Sequence, residues 1–163
     1  REAIGIYEVV WDNTNKKDEA WYINTNPSYA FANDKVTASY GSATAKAHAD
    51  TLFTSDDEDN GLGTEGEVKA EGLKTVLIRN VKKQAAGELQ NTDWYIVRKA
   101  DAGTSVPSAI TNHRAAVRTK AAEMETSITN ASNTAALETL YTYTEQEDGS
   151  ITRPLGELPR LET

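Results

Sequence analysis

The sequence contains no cysteine among its 163 residues. Disulfide bonds, thiolate nucleophiles and cysteine-based zinc sites are therefore excluded together. The only histidines are His48 and His113, and neither stands beside the serine and acid that a hydrolase triad needs. No HExxH motif, Walker loop or nucleophile elbow occurs. The sequence therefore predicts a protein that is not an enzyme and that is stabilised by packing or by partners.

Long hydrophobic runs are also lacking. No run approaches the ~20 apolar residues that a membrane helix needs, and no signal-peptide core is visible. We therefore expect no membrane partner. The only methionine is Met124 and the chain begins at Arg1, so we expect an upstream piece that was cleaved or lies outside this sequence. A hydrophobic content of 38% and a mean hydropathy of −0.60 indicate a polar, modestly packed globular chain.

The charge is unevenly distributed. The net charge is −8. Seven acidic residues and one lysine lie between Asp56 and Glu71, whereas nine basic and three acidic residues lie between Gly72 and Lys120. Either the two regions pair between copies or with neighbours, or they are solvated surface. A pI near 4.8 without an arginine and aromatic pattern argues against nucleic acid as a partner.

The first third of the chain is rich in β-branched and aromatic residues. Ile4 to Trp11 and Glu19 to Asn24 predict a β-hairpin with a long loop, and the alternation from Val36 to Tyr40 favours a third strand. A helix is predicted from Ala43 to Phe53. The Gly-rich acidic segment from Ser55 to Gly66 predicts a loop.

The rest of the chain alternates helical and turn signals. Apolar residues recur at helical spacing from Leu73 to Leu89 and from Ile110 to Ile128, and a short helix is predicted from Ala135 to Tyr141. The run Trp94 to Arg98 between the two long helices reads as a strand. Asp148-Gly149 predicts a C-terminal hairpin, followed by an extended tail. The predicted fold class is α+β, with regions at 1–66, 67–141 and 142–163.

A resemblance to a known family lies in the stretch from Asn91 to Arg118, NTDWYIVRKADAGTSVPSAITNHRAAVR. With the residues around it, from about Leu73 to Ile128, it resembles the phage tail assembly chaperone family. That family has a leucine-containing helix, Thr-Asp-Trp, a proline, and a helix reading Tyr/His-Arg-x-x-Leu/Val-Arg. The matching positions here are Leu89, Thr92-Asp93-Trp94, Pro107 and His113-Arg114-Ala115-Ala116-Val117-Arg118.

The resemblance implies a helix–strand–helix module that binds protein. Its predicted core consists of Leu73, Leu77, Val81, Leu89, Trp94, Ile110, Val117 and Met124. With Trp94 in that core, Trp94→Ala is expected to cost about 3–5 kcal/mol. The candidate partner-binding residues are Trp11, Trp21, Arg79, Lys82, Arg114 and Arg118. The four cations would flank an apolar groove between the two long helices, whereas the two tryptophans are equally consistent with core packing.

The acidic segment carries two weak motif matches. Gly61 to Gly66 fits G-x-G-x-x-G, but no strand precedes it and four carboxylates would repel a phosphate, so a flexible loop is the preferred interpretation. Asp56, Glu58, Asn60 and Glu67 fall at ligand positions of an EF-hand loop, which makes them a candidate calcium site. Calcium is the only cofactor that the sequence suggests.

Three functions follow as hypotheses. The first is a non-enzymatic structural component of a phage virion, associated with the tail, baseplate or fibre and present in multiple copies among other phage structural proteins. The second is a tail-fibre assembly chaperone, which binds an immature tail protein and is absent from the finished particle. The third is a calcium-stabilised adaptor.

Overall fold

The computed structural model describes residues 5–161, and over these residues the fold is α+β, as the sequence predicts. The chain forms two compact units, Arg1–Lys46 and Ala47–Thr163. The acidic segment thus groups with the helices, whereas the sequence placed a boundary after residue 66. Among the described residues no helix is both long and apolar enough to cross a membrane.

Over its described residues, the first unit contains five short strands. A three-stranded sheet has the order β1-β4-β3, with β1 parallel to β4 and β3 antiparallel to it. Strands β2 and β5 form a separate antiparallel pair. The bounds are β1 Val9–Asp12, β2 Tyr22–Ile23, β3 Ser28–Ala32, β4 Lys35–Ser39 and β5 Thr44–Ala45.

A two-residue turn joins β3 to β4. Asn33 and Asp34 both have positive φ, at 52° and 57°. Two consecutive left-handed residues match the twist of the flanking strands in a tight hairpin, and asparagine and aspartate tolerate this region better than most residues. The predicted third strand at Val36 to Tyr40 therefore belongs to this hairpin.

The hairpin predicted between Ile4–Trp11 and Glu19–Asn24 is wrong over the described residues, which exclude Ile4. The segment before β2 folds on itself, since the Asp18 carbonyl accepts the Trp21 and Tyr22 N–H groups. The Asn24 side chain also bonds both backbone groups of Lys17. These local bonds carry β2 to a different sheet from β1.

The helix predicted from Ala43 to Phe53 is also wrong. Strand β5 and a further strand, β6 (Thr51–Leu52), occupy that stretch, and β6 pairs with β7 (Val68–Ala70). Between β6 and β7 the acidic segment contains a short helix, α1 (Ser55–Asp59), which begins at a capping box formed by Thr54 and Asp57.

Four further helices form the body of the second unit. They are α2 Leu73–Gln90, α3 Asp93–Ala102, α4 Ser108–Asn130 and α5 Thr134–Tyr141. The predicted helices at α2, α4 and α5 are confirmed. The predicted strand at Trp94 to Arg98 is wrong, because these residues lie within α3. Asp93 stands in the first turn of α3, and Gly103 ends it at a φ of 67°, so helix-boundary signals outweigh the strand-like composition.

The core of the second unit forms between α2 and α4. Val81, Ile110, Val117 and Met124 are buried there, as predicted, and Leu137 of α5 is buried as well. The other predicted core leucines, Leu73, Leu77 and Leu89, are half-buried. Trp94 is a correction: its side chain is half exposed.

The predicted C-terminal hairpin is confirmed as β8 (Thr144–Glu145) and β9 (Ile151–Thr152), with Gly149 at a φ of 78° in the turn. The tail beyond it is fastened by Leu155, which is buried and donates its N–H to the Leu140 carbonyl at 3.0 Å. The tail therefore adds an apolar side chain to the core of the second unit.

The start of α2 is held by the segment that precedes β6. One Asp50 oxygen, Oδ1, accepts the Gly72 N–H at 2.6 Å and the Thr75 hydroxyl at 2.7 Å. A Cβ on Gly72 would lie 2.3 Å from the Ala49 carbonyl, so only glycine fits this approach. The Gly72 amide and the Thr75 hydroxyl hold the pKa of Asp50 below its usual value. The carboxylate therefore caps the positive end of the helix.

We expect Asp50→Asn to lower the free energy of unfolding at neutral pH, because a neutral amide accepts these bonds less strongly. The folded-state pKa of Asp50 is depressed, so its contribution is present above about pH 4–5, the unfolded range, and is lost as pH falls through the folded value. The stability gap between wild type and variant should therefore shrink on acidification. Denaturant unfolding from pH 7 to pH 3 measures it, with the exposed Asp56→Asn as control. A gap that stays constant down to pH 3 would contradict the cap.

Candidate partner-binding surfaces

The residues that carry the family resemblance meet at one buried guanidinium. Nη1 of Arg114 donates to the Leu89 carbonyl at 2.8 Å, to the Thr92 hydroxyl at 2.7 Å and to the Asp93 carboxylate at 2.8 Å. The Thr92 hydroxyl in turn donates to the Leu89 carbonyl at 2.8 Å. We call these four residues the Arg114 cluster. It ties the end of α2 and the start of α3 to α4.

Arg114 was expected at a partner-binding surface, and that prediction is wrong. Its side chain is buried, and its charge is paired with Asp93. His113 beside it is buried as well, and its Nε2 is without a hydrogen-bond partner over residues 5–161. Both side chains are thus internal, and of the motif residues Thr92, Asp93 and Arg114 join the helices through hydrogen bonds.

Removing the Arg114 guanidinium should cost about 1–3 kcal/mol of unfolding free energy, because the buried Thr92 hydroxyl loses its charged partner. The Leu89 carbonyl keeps the Thr92 hydroxyl as a donor, and the Asp93 carboxylate is half exposed to solvent. Arg114→Met keeps the aliphatic volume and tests this in guanidinium-induced unfolding. The matched control is Arg118→Met, one turn along α4 at an exposed position, which should cost less than about 0.5 kcal/mol. Equal costs for the two variants would show that the Arg114 cluster does not contribute to the free energy of unfolding.

The apolar groove predicted between the two long helices does not exist as an open surface. The apolar stripes of α2 and α4 face each other, and Val81, Val117 and Met124 are buried between them. Of the cations expected to flank it, Arg79 forms a two-pronged ion pair with Glu71, at 2.6 and 2.8 Å. Lys82 lies 3.5 Å from Glu125, and Arg118 is exposed.

Helix α3 presents the first exposed apolar surface. Trp94 is 51% exposed and Val97 65%, with Ile96 also exposed, and α3 contains no buried residue. The Arg98 guanidinium carbon lies 4.6 Å from the centroid of the Trp94 ring, within cation–π range. A helix fixed at its start by the Arg114 cluster thus displays apolar side chains.

Because Trp94 is half exposed, Trp94→Ala should cost about 1 kcal/mol or less, not the 3–5 kcal/mol expected of a core aromatic. Equilibrium unfolding in guanidinium measures the change. Met124→Ala, on the buried face of α4, is the comparison and should cost about 2–5 kcal/mol. A Trp94→Ala cost close to that of Met124→Ala would place Trp94 in the core after all.

The second exposed apolar surface is one face of the β1-β4-β3 sheet. Val9, Val36 and Phe31 are aligned across the three strands, and Trp11, Ala38 and Tyr29 form the next row. Directly opposed residues project to the same side of a sheet, and so do residues two apart along a strand. Tyr7 therefore continues the face beyond β1, with its ring 4.6 Å from that of Phe31, and Tyr40 continues it beyond β4, 6.0 Å from the Trp11 ring.

We call these eight residues the aromatic sheet face: Tyr7, Val9, Trp11, Tyr29, Phe31, Val36, Ala38 and Tyr40. Ala38 at its centre is fully buried beneath its larger neighbours, whereas the four outer residues of the two rows, Val9, Trp11, Tyr29 and Phe31, are exposed. The opposite face is mixed: it carries Asp12, Thr37 and Ser39 together with Val10 and Ala30. The aromatic side chains of the sheet therefore lie on one side only, and much of that side is uncovered.

The two tryptophans predicted to lie at a partner surface differ in their exposure. Trp11 belongs to the aromatic sheet face and is half exposed, in keeping with the partner-binding prediction. Trp21 is only 8% exposed, so its assignment to a partner surface is wrong. Its backbone N–H donates to the Asp18 carbonyl, and its carbonyl accepts the Lys46 N–H next to the pairing of β2 with β5.

The candidate calcium ligands lie on and after α1. Residues two apart on a helix project about 200° apart, so Asp56 and Glu58 do not point to one centre. Glu58 accepts the Glu65 N–H, and the Asn60 side chain donates to the Asp56 carbonyl. No group of three or more potential metal ligands occurs among the described residues. Asp57, outside the expected ligand set, pairs with Lys69 at 2.7 Å, and that ammonium together with the Thr54 N–H and hydroxyl lowers the pKa of Asp57 to about 2.

Sequence reasoning missed Tyr29 and Phe31 as surface residues. The signal was present, since Ser28-Tyr29-Ala30-Phe31-Ala32 alternates small and aromatic residues at the period of a strand. The turn pair Asn33-Asp34 follows immediately, and together they indicate a hairpin with one aromatic side.

Comparison with known proteins adds no relative: no family model, curated protein or solved structure matches this chain. The resemblance to the phage tail assembly chaperone family therefore stays a prediction from the motif between Leu89 and Arg118.

Proposed function

We propose that this chain is a non-enzymatic structural component of a bacteriophage virion. In this proposal it is associated with the tail, baseplate or fibre and acts through contacts with other phage structural proteins, in multiple copies. The single observation that carries the contact role is the aromatic sheet face. A sheet buries its apolar side against a second layer, and here Trp11, Tyr29 and Phe31 remain exposed.

The assignment to a phage particle comes from the motif resemblance. The Arg114 cluster supports it with a physical reason for three motif positions, because the threonine, aspartate and arginine side chains bond to one another. Thr92 and Arg114 are both buried, so replacing either by an apolar residue would leave the other short of a hydrogen-bond partner.

The first alternative is a tail-fibre assembly chaperone, and helix α3 favours it. Trp94, Ile96 and Val97 offer an exposed apolar stretch at which an immature tail protein could be held. The groove formerly expected between α2 and α4 is filled by their own packing, so such a chaperone would bind through α3. The second alternative is a calcium-stabilised adaptor. It requires the acidic segment to leave its α1 conformation, because Asp56 and Glu58 diverge there.

The protein content of purified particles tests the proposal against the chaperone. We expect the chain in density-purified particles of the phage that encodes it, at a fixed ratio to a tail protein. Quantitative mass spectrometry before and after a high-salt wash measures that ratio, and an abundant host protein gives the contamination level. Presence in the infected-cell lysate with only contamination-level signal in particles would reject the structural role and favour the chaperone.

A further inference from the structure

We propose that the aromatic sheet face is covered by the same face of a second copy of this chain. This inference rests on the proposed function, in which the chain works through protein contacts, and it names the partner at that surface. The pairing would place two copies of the β1-β4-β3 sheet face to face, each supplying the second layer that the other lacks.

The chemistry of the face favours a like partner. None of its eight side chains is charged, and the charged residues of the same strands, Asp12 and Lys35, lie on the opposite side. A charged partner would find no complement here, whereas two identical neutral faces meet without like-charge repulsion. Lys16 sits at the rim, with its Nζ 5.4 Å from the Tyr40 ring centroid.

The exposed area sets the strength of the pairing. Trp11, Tyr29 and Phe31 are 50%, 62% and 58% exposed. With about 200 Å² for a whole aromatic side chain, they present roughly 350 Å² per copy. A symmetric pair would bury about 700 Å² from these side chains, below the 1,200–2,000 Å² of a stable interface. We therefore expect a weak, reversible dimer, strengthened where other contacts hold copies close together.

Sedimentation velocity of the full chain from about 10 µM to 1 mM tests the pairing. We expect the weight-average sedimentation coefficient of the wild type to rise with concentration. Tyr29→Asp places a carboxylate on the aromatic sheet face and should remove that rise. Ala30→Asp is the matched control, because it places the same charge one residue along β3 on the opposite face and should leave the rise intact.

A charge-pair experiment identifies the partner as the same face. Tyr29→Asp and Tyr29→Lys should each be monomeric alone, and a 1:1 mixture should associate more strongly than either. For the wild type, dilution from 1 mM should shift the NMR signals of Val9, Phe31 and Val36 and leave those of Thr37 and Ser39 unchanged. This second measurement does not depend on a variant that folds.

Three results would overturn the pairing: a wild-type chain that stays monomeric at 1 mM, association that Tyr29→Asp leaves unchanged, or dilution shifts confined to other surfaces. None of these results would contradict the proposed virion role, because the protein content of particles is measured independently. In that case another subunit would cover the aromatic sheet face. Conversely, absence from particles would reject the virion role even if the chain dimerises in solution.

Discussion

The second unit depends on the Arg114 guanidinium. Three helices converge there, and each brings a polar group that would be costly to bury alone: the last carbonyls of α2, the Thr92 hydroxyl before α3, and the arginine of α4 itself. One cation satisfies the Leu89 carbonyl and the Asp93 carboxylate together. The direction in which α3 leaves the helix pair follows from these bonds, and so does the exposure of its apolar side chains.

The two units differ in how they bury their few apolar side chains. The second unit pairs α2 with α4 and adds Leu137 and the tail residue Leu155, so it has a buried apolar core, although Trp94 and Val97 of α3 stay exposed. In the first unit, by contrast, only Trp21, Tyr22 and Ala38 are buried apolar residues among those the structure describes. The proposed assembly surface would account for this contrast, because the exposed aromatic residues of the first unit lie on one side of a sheet.

Helical periodicity predicted α2, α4 and α5, because long stripes such as Ile110 to Ile128 repeat often enough to exceed local composition. Asp148-Gly149 predicted the C-terminal hairpin for a similarly local reason. The five-residue run from Trp94 to Arg98 is too short for periodicity to distinguish a strand from a helix. The helix is indicated instead by its boundary residues, Asp93 in the first turn and Gly103 at the end. The parallel pairing of β1 with β4 depends on contacts distant in sequence. For the same reason, the burial of Arg114 and Trp21 could not be predicted from their residue types.

An aromatic face on an acidic chain has a consequence for assembly. Each copy carries a net charge of −8, so separate copies repel one another at long range, which restrains aggregation through Trp11, Tyr29 and Phe31. At contact the neutral face adds no further repulsion, and burial of aromatic area then favours association. The repulsion between the net charges opposes the attraction between the aromatic sheet faces, so free chains stay apart at low concentration. It lets them pair once other contacts bring them close, because a raised local concentration multiplies a weak attraction.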